Sequence, residues 1–218
     1  MNIGILGGTG PEGKGLALRF AAAGIQVVLG SRVAVRAEEK AAEYNSILGK
    51  QVIRGTANSE MLHLCEMVFL AVPFRQAIEA IEAIRGDLSS GTVLVDVTVP
   101  AVFSPGRVEY LAQEGDSGAE TLARHIPAGI ELVGAFKTIP AHVLAELKVK
   151  LDCDVFVCGD SRQAKELVMQ AVRTIPTLRP LDAGPLRNAR TLERMTILEI
   201  QLNLRYKSKG ARFRVVGI

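Results

Sequence analysis

Residues 2–18 read Asn2-Ile3-Gly4-Ile5-Leu6-Gly7-Gly8-Thr9-Gly10-Pro11-Glu12-Gly13-Lys14-Gly15-Leu16-Ala17-Leu18. A short apolar run bounded by glycines passes into a Gly-x-Gly-x-x-Gly turn and then into a helix-forming segment. Strand, glycine turn and helix in this order form the context in which that spacing binds a dinucleotide. Gly8 is read as the tight-turn residue, Gly10 as the gap through which a pyrophosphate meets the backbone, and Gly13 as the place where helix and strand touch. Free N–H groups and the positive helix end then hold the phosphates. Pro11 suits the first helical turn, where its missing N–H costs nothing. The competing reading is a glycine turn that is only structural.

Outward from this turn the pattern repeats. Strands are expected over 26–29, 51–54, 67–72, 92–97, 131–136 and 154–158. Helices are expected over 12–23, 35–48, 75–84, 162–173 and 188–204, with a short one near 119–124. Strands alternating with helices mean a parallel sheet covered on both faces. The expectation is a Rossmann-type, doubly wound α/β fold with a small, closely packed C-terminal α/β subdomain. Residues 1–136 would form the dinucleotide-binding domain, and 137–218 the subdomain that completes the second substrate's site. Residues 101–129 hold Pro105, Gly106, Gly115, Gly118 and Pro127 with few apolar anchors, and read as a surface excursion.

Composition agrees with a globular protein. The 218 residues are 48% hydrophobic and 22% charged, which excludes whole-chain disorder. Lys and Arg number 26 against 23 Asp and Glu, a net +3 too small to argue for a nucleic-acid surface. No apolar run reaches the ~20 residues of a membrane span, and the N-terminal residues lack the basic start of a signal peptide. Three cysteines do not make a disulfide framework. Cys153 and Cys158, five apart on one strand, face opposite sides. A reducing cytoplasm is the expected location. No metal-ligand spacing appears.

The end of the second strand selects the dinucleotide. An NAD site carries an acid there for the ribose 2′-hydroxyl. Here stand Gly30-Ser31-Arg32, with Arg36 four residues on and no acid before Glu38. Two guanidiniums at a helix start suit a 2′-phosphate, which predicts NADP(H). The fourth and fifth strands end in Val72-Pro73-Phe74 and Thr98-Val99-Pro100, expected beside the same cofactor, where Val72 and Pro73 would contact it, and without evident acid or base. His63, His125 and His142 are isolated. Lys137, before Thr138-Ile139-Pro140, is read as a substrate-anion contact or a plain surface lysine. So little acid–base machinery fits hydride transfer, which needs positioning above all. The last helix is apolar on more than one face, so it is buried or shared, and a homodimer is expected. The basic tail, Arg205 to Arg214, reads as a solvated or phosphate-contacting end.

Gly7 to Arg19, Gly30-Ser31-Arg32 and Lys40-Ala41-Ala42-Glu43-Tyr44 resemble the coenzyme F420-dependent NADP oxidoreductases. So do Thr138-Ile139-Pro140-Ala141, Val157-Cys158-Gly159-Asp160 and Arg179-Pro180-Leu181-Asp182-Ala183-Gly184-Pro185-Leu186. The resemblance runs from residue 1 to about 200. It implies direct hydride exchange between NADP(H) and F420, an 8-hydroxy-5-deazaflavin. It carries NADP-binding roles to Thr9, Gly10, Pro11, Glu12, Ser31, Arg32 and Arg36, and further to Phe74, Ile78 and Ala141. It places the deazaflavin against Lys137, Thr138, Ile139, Pro140 and Leu186, with no acid–base catalytic residue. Lys137 stands where archaeal members have histidine. Two other readings stay open: an NADPH-dependent reductase of a flavin, ferric complex, carbonyl or imine, or an NADP(H)-binding sensor without turnover.

Overall fold

The central strands are near-continuous apolar runs, so successive residues fill core layers on both faces of the sheet. In the computed structural model, which describes residues 1–111 and 116–218, the order is β1 (Asn2–Leu6), α1 (Pro11–Ala22), β2 (Gln26–Ser31), α2 (Ala34–Leu48), β3 (Ile53–Ala57), α3 (Asn58–Leu64), β4 (Met67–Leu70), α4 (Phe74–Ile84) and β5 (Val93–Asp96). Then come β6 (Ala101–Ser104), β7 (Arg107–Tyr110), α5 (Gly118–Ala123), β8 (Glu131–Gly134), α6 (Ala141–Ala145), β9 (Cys153–Gly159), α7 (Arg162–Arg173), β10 (Leu178–Asp182), a 3-10 turn over Leu186–Asn188, and α8 (Ala189–Arg205).

One eight-stranded sheet runs β10-β9-β8-β5-β4-β1-β2-β3. Every pairing in it is parallel except β8 with β9. The order reverses between β1 and β4, so the switch point lies at the Gly7–Gly10 turn. Ile3, Ile5, Val27, Leu29, Phe69 and Val95 fill one layer, with Leu16, Phe20 and Val168 from the helices. Leu6, Val28, Val68, Leu70 and Leu94 fill the other, under Met61, Ile81 and Leu192. Phe20, Phe69 and Phe136 meet at 5.2–5.9 Å in tilted and edge-on contacts, the geometry aromatic quadrupoles favour. Cys153 and Cys158 lie in opposite layers as the strand period requires. All three cysteines are free and buried, and burial pushes each thiol up to about 11, so none is a thiolate near neutral pH.

Six elements depart from the sequence reading. α3 and α6 are short helices without their own apolar period. β10 is an edge strand containing Pro180, tolerated because an edge strand needs no donor on its open side. The 101–129 excursion is ordered in part. β6 and β7 make an antiparallel hairpin through Pro105-Gly106, with Gly106 at φ +69°, the Pro-Gly chemistry of a tight turn. The expected helix follows as α5, fixed by a capping box between Ser117 and Glu120. Gly115 lies outside the described residues. The third strand starts later than expected, at Ile53, because Asn45 of α2 holds the Val52 and Ile53 backbone.

The basic tail is structural in part. Its Phe213 carbonyl accepts from the Asp154 N–H at 3.0 Å. The Asp154 carboxylate accepts from Val215 N–H and from the Nε–H and Nη2–H of Arg179. Arg214 pairs with Asp152.

Candidate functional site

The cleft opens at the carboxyl ends of β1, β2 and β4, where the glycine turn meets the start of α4. Its volume is about 650 Å³, and Thr9, Gly10, Ser31, Arg32, Arg36, Val72 and Pro73 line it. The glycines have separate physical tasks. The left-handed residue of the turn is Gly7 (φ +85°), where the reading gave that task to Gly8. Gly8 is required by space, since a Cβ there would stand 2.7 Å from the Leu29 side chain. A Cβ on Gly13 would stand 2.6 Å from the Gly7 carbonyl oxygen and the Gly8 Cα. A Cβ on Gly10 would meet nothing closer than 3.5 Å, so the space above it is open. Gly10 donates to the Gly7 carbonyl at 3.0 Å, and Tyr44 donates to the Gly8 carbonyl at 3.2 Å. The loop is therefore held from behind while its front faces the cleft.

At the far end, Ser31 Oγ accepts from Val33 N–H at 3.2 Å, and Arg32 and Arg36 project at the start of α2, whose first turn carries no acid. Arg32 reaches across the mouth to Glu79 at 3.8 Å, with both side chains largely in solvent. Such a pair is worth about 0–1 kcal/mol and yields readily to a phosphate. Asn58, Gln76 and Glu79 also line the cleft and were not found from the sequence. The buried Oδ1 of Asn58 accepts no hydrogen bond. An open glycine turn, an orphaned buried acceptor and two exposed guanidiniums, one of them held only by a weak surface pair, fit a 2′-phosphorylated dinucleotide.

The other expected contacts stand elsewhere. Gly8 and Gly13 act from behind the cleft. Pro11 and Glu12 open α1 at its side. Phe74 and Ile78 pack into the second core layer, and a Cβ on Gly118 would meet the Phe74 ring at 2.8 Å. Ala141 opens α6, which lies against α1 so closely that a Cβ on Gly15 would stand 2.5 Å from Leu144 Cβ. Thr138 and Ile139 are buried and Pro140 half-buried; Ile139 and Leu186 belong to opposite core layers.

Lys137 requires a correction. Its side chain is 1% exposed, so it is not a surface lysine, and its ammonium is not free for a substrate anion. Nζ donates to Asp96 Oδ2 and to the Thr98 carbonyl, each at 2.6 Å, and lies 3.4 Å from Glu193 Oε1. Burial works to lower its pKa, but Asp96 and Glu193 outweigh it and hold it above the usual lysine value. The fifth strand thus does end in an acid: Asp96, which also accepts from Thr98 N–H and Oγ1–H. Glu193 of α8 accepts in addition from the Tyr110 hydroxyl, Gly118 N–H and Ala119 N–H. One ammonium and two carboxylates therefore tie β5, the hairpin, α5 and α8 together at the sheet's carboxyl edge. The lone histidines stay lone as far as catalysis goes: His63 and His142 are exposed, and His125 meets Glu82 at 3.1 Å on the surface. Among the described residues no group of His, Cys, Asp and Glu is placed to hold a metal ion.

Comparison with known proteins agrees with this geometry. Residues 2–100 match the family model described as NADP oxidoreductase coenzyme F420-dependent. An F420-dependent NADP reductase of Methanothermobacter thermautotrophicus is 35% identical over 223 residues, covering 100% of this chain and 96% of its own. One from Methanocaldococcus jannaschii is 32% identical, covering 100% and 99%. A crystal structure from Arthrobacter sp. fb24 superposes with a TM-score of 0.83 at 24% identity over the whole of both chains, a likeness of fold. With relatives matching from end to end and a cleft shaped for a 2′-phosphorylated dinucleotide, the chain belongs to the F420-dependent NADP oxidoreductase family.

Proposed function

We propose that the protein transfers a hydride directly between NADP(H) and coenzyme F420. The observation that carries this reading is the cleft itself, with the open Gly10 turn at one end and Ser31, Arg32 and Arg36 at the other, in a chain related over its full length to F420-dependent NADP reductases. The first turn of α1 offers its free N–H groups to the pyrophosphate. Ser31, Arg32 and Arg36 take the 2′-phosphate, and Asn58 Oδ1 accepts from the adenosine portion. Val72 and Pro73 give the nicotinamide an apolar wall. The 137–141 segment, held by the Lys137 cluster and by α6 on α1, sets the far side against which the deazaflavin lies. The protein's part is to hold the two reacting carbons at about 3–3.5 Å and to keep water out.

We retain the division into 1–136 for NADP(H) and 137–218 for the acceptor. A homodimer is supported by Leu198, Leu204 and Tyr206, exposed by 47%, 49% and 72% along and just past α8. No helix among the described residues is long and apolar enough to cross a membrane. Three free buried thiols suit a reducing cytoplasm.

The test is anaerobic oxidation of NADPH by the purified protein with F420 added, followed at the absorbance bands of both. Matched loss of NADPH and oxidised F420 supports the reading. NADPH oxidation with a free flavin but not with F420 sinks it.

A further inference from the structure

One helix touches the binding elements of both substrates. The first turn of α1 belongs to the dinucleotide, and the flank of α1 carries α6, whose first residue, Ala141, ends the 137–141 acceptor wall. Gly15 and Arg19 stand one turn apart on that flank. At Gly15 an added Cβ would stand 2.5 Å from Leu144 Cβ, 3.1 Å from the Ala141 carbonyl oxygen and 3.2 Å from the Ala145 nitrogen. All three neighbours are backbone atoms or a Cβ, so no flexible side chain can give way.

Arg19 is 8% exposed. Its Nε donates to the Leu144 carbonyl at 2.8 Å, and its Nη2 to the carbonyls of Val143, Glu146 and Val149 at 3.1, 2.6 and 3.0 Å. α6 is five residues long, and the residue after it, Glu146, is extended, so no left-handed cap closes the helix. Carbonyls at such an end need donors from elsewhere, and the guanidinium of the neighbouring helix supplies them. A third contact lies at the other end of the wall. Phe20 of α1 meets Phe136, the residue before Lys137, with ring centroids 5.9 Å apart. Phe136 holds φ at +56°, a value that a bulky residue keeps only where its surroundings enforce it. The acceptor wall is thus pinned to α1 just before it begins and just after it ends. Gly15 and Arg19 themselves do not line the cleft.

We propose that Gly15 and Arg19 are positioning residues for hydride transfer: acting through α6, they set the separation between the dinucleotide and the acceptor. This rests on the F420 reading and deepens it. In that step the C4–H bond of NADPH breaks with its electron pair, a C–H bond forms at C5 of the deazaflavin, NADP⁺ is left, and water supplies the proton that completes reduced F420.

The test is anaerobic single-turnover reduction of F420 by NADPH at saturating concentrations of both, beside calorimetric titration with NADP⁺. Gly15→Ala is the main variant, because alanine suits a helix interior better than glycine. Carbon atoms pack at about 3.5–4.0 Å, so the new Cβ must drive α6 and α1 about 1 Å apart. A misplacement of about 1 Å can cost about a hundredfold in rate, and that is the expected loss. The Kd for NADP⁺ should stay at the wild-type value, since the glycine turn is untouched. Arg19→Lys keeps the charge but loses the planar fork of donors, and should likewise lower the transfer rate without weakening NADP⁺. If that variant does not fold, Gly15→Ala decides alone. A wild-type transfer rate in Gly15→Ala, or a loss seen only as weaker NADP⁺ binding, overturns the proposal. A wild-type protein that binds NADP⁺ but does not reduce F420 overturns the F420 reading and the proposal with it.

Discussion

Lys137→Met is a sharp test of how the sheet's carboxyl edge is held. The substitution keeps the length of the side chain and removes only the ammonium. In the structure that ammonium has two partners at 2.6 Å and a third at 3.4 Å, and both carboxylates it faces have side chains 0% exposed. Without it Asp96 and Glu193 remain as buried negative charges without their cation. Breaking a buried pair from one side costs about 3–5 kcal/mol. A chain of this size loses about 2–4 °C of melting temperature per kcal/mol. The expected drop is therefore about 6–20 °C by circular dichroism at pH 7. The hairpin and α5 hang on Glu193, so protease cleavage near residues 105–120 should accelerate. A variant that melts within about 2 °C of wild type while its KM for F420 alone rises would refute this reasoning, and would return Lys137 to the acceptor as a free cation.

Arg32→Ala should raise the KM for NADPH about tenfold or more with little change for NADH, because a charge-assisted hydrogen bond is worth about 1.5–3 kcal/mol; an unchanged NADPH-to-NADH preference would defeat the 2′-phosphate assignment. Gly13→Ala should abolish NADPH binding, measured by fluorescence, while the far-ultraviolet spectrum stays native, since the new Cβ at 2.6 Å displaces the turn itself; intact binding would show the turn to be more pliant than its contacts allow. Glu120 is held down at about 2, chiefly by the Arg190 hydrogen bond. Its depressed pKa contributes stability that is present above its ordinary value of 4.5 and lost as pH falls toward about 2. Arg190→Ala should accordingly be less stable at pH 7 and nearly matched to wild type at pH 2; equal stability at pH 7 would contradict it.

The parts legible in the sequence are those written locally. Gly-x-Gly-x-x-Gly, the missing acid after β2 and the apolar runs of β1, β2, β4 and β5 are each written within a few residues. They were enough for the fold, the cleft and the dinucleotide. What stayed hidden depends on distance. Lys137 finds its partner 41 positions away in Asp96. Asp96 itself sits in a strand whose end was read as lacking an evident acid, and nothing in its neighbours announces a buried ion pair. Glu193 and Glu199 look like ordinary helix surface, because a glutamate carries no mark of burial. Glu12 was read as a ligand contact, and that one of its carboxylate oxygens is sealed without a donor shows only in the fold. Pro105-Gly106 was in plain view, but a turn signal becomes a hairpin only when the flanking strands pair, and β6 and β7 are four residues each with little apolar pattern. Pro180 lies within β10, and only the sheet order shows that strand to be an edge.

Direct transfer of hydride from one substrate to the other is the central claim, and an isotope follows it most directly. The protein is mixed anaerobically with F420 and NADPH deuterated at the transferring C4 position, and the reduced deazaflavin is recovered after a single turnover. Direct transfer predicts deuterium at its C5 with none lost to water. Deuterium released to solvent, or reduced F420 formed without label, would contradict the account.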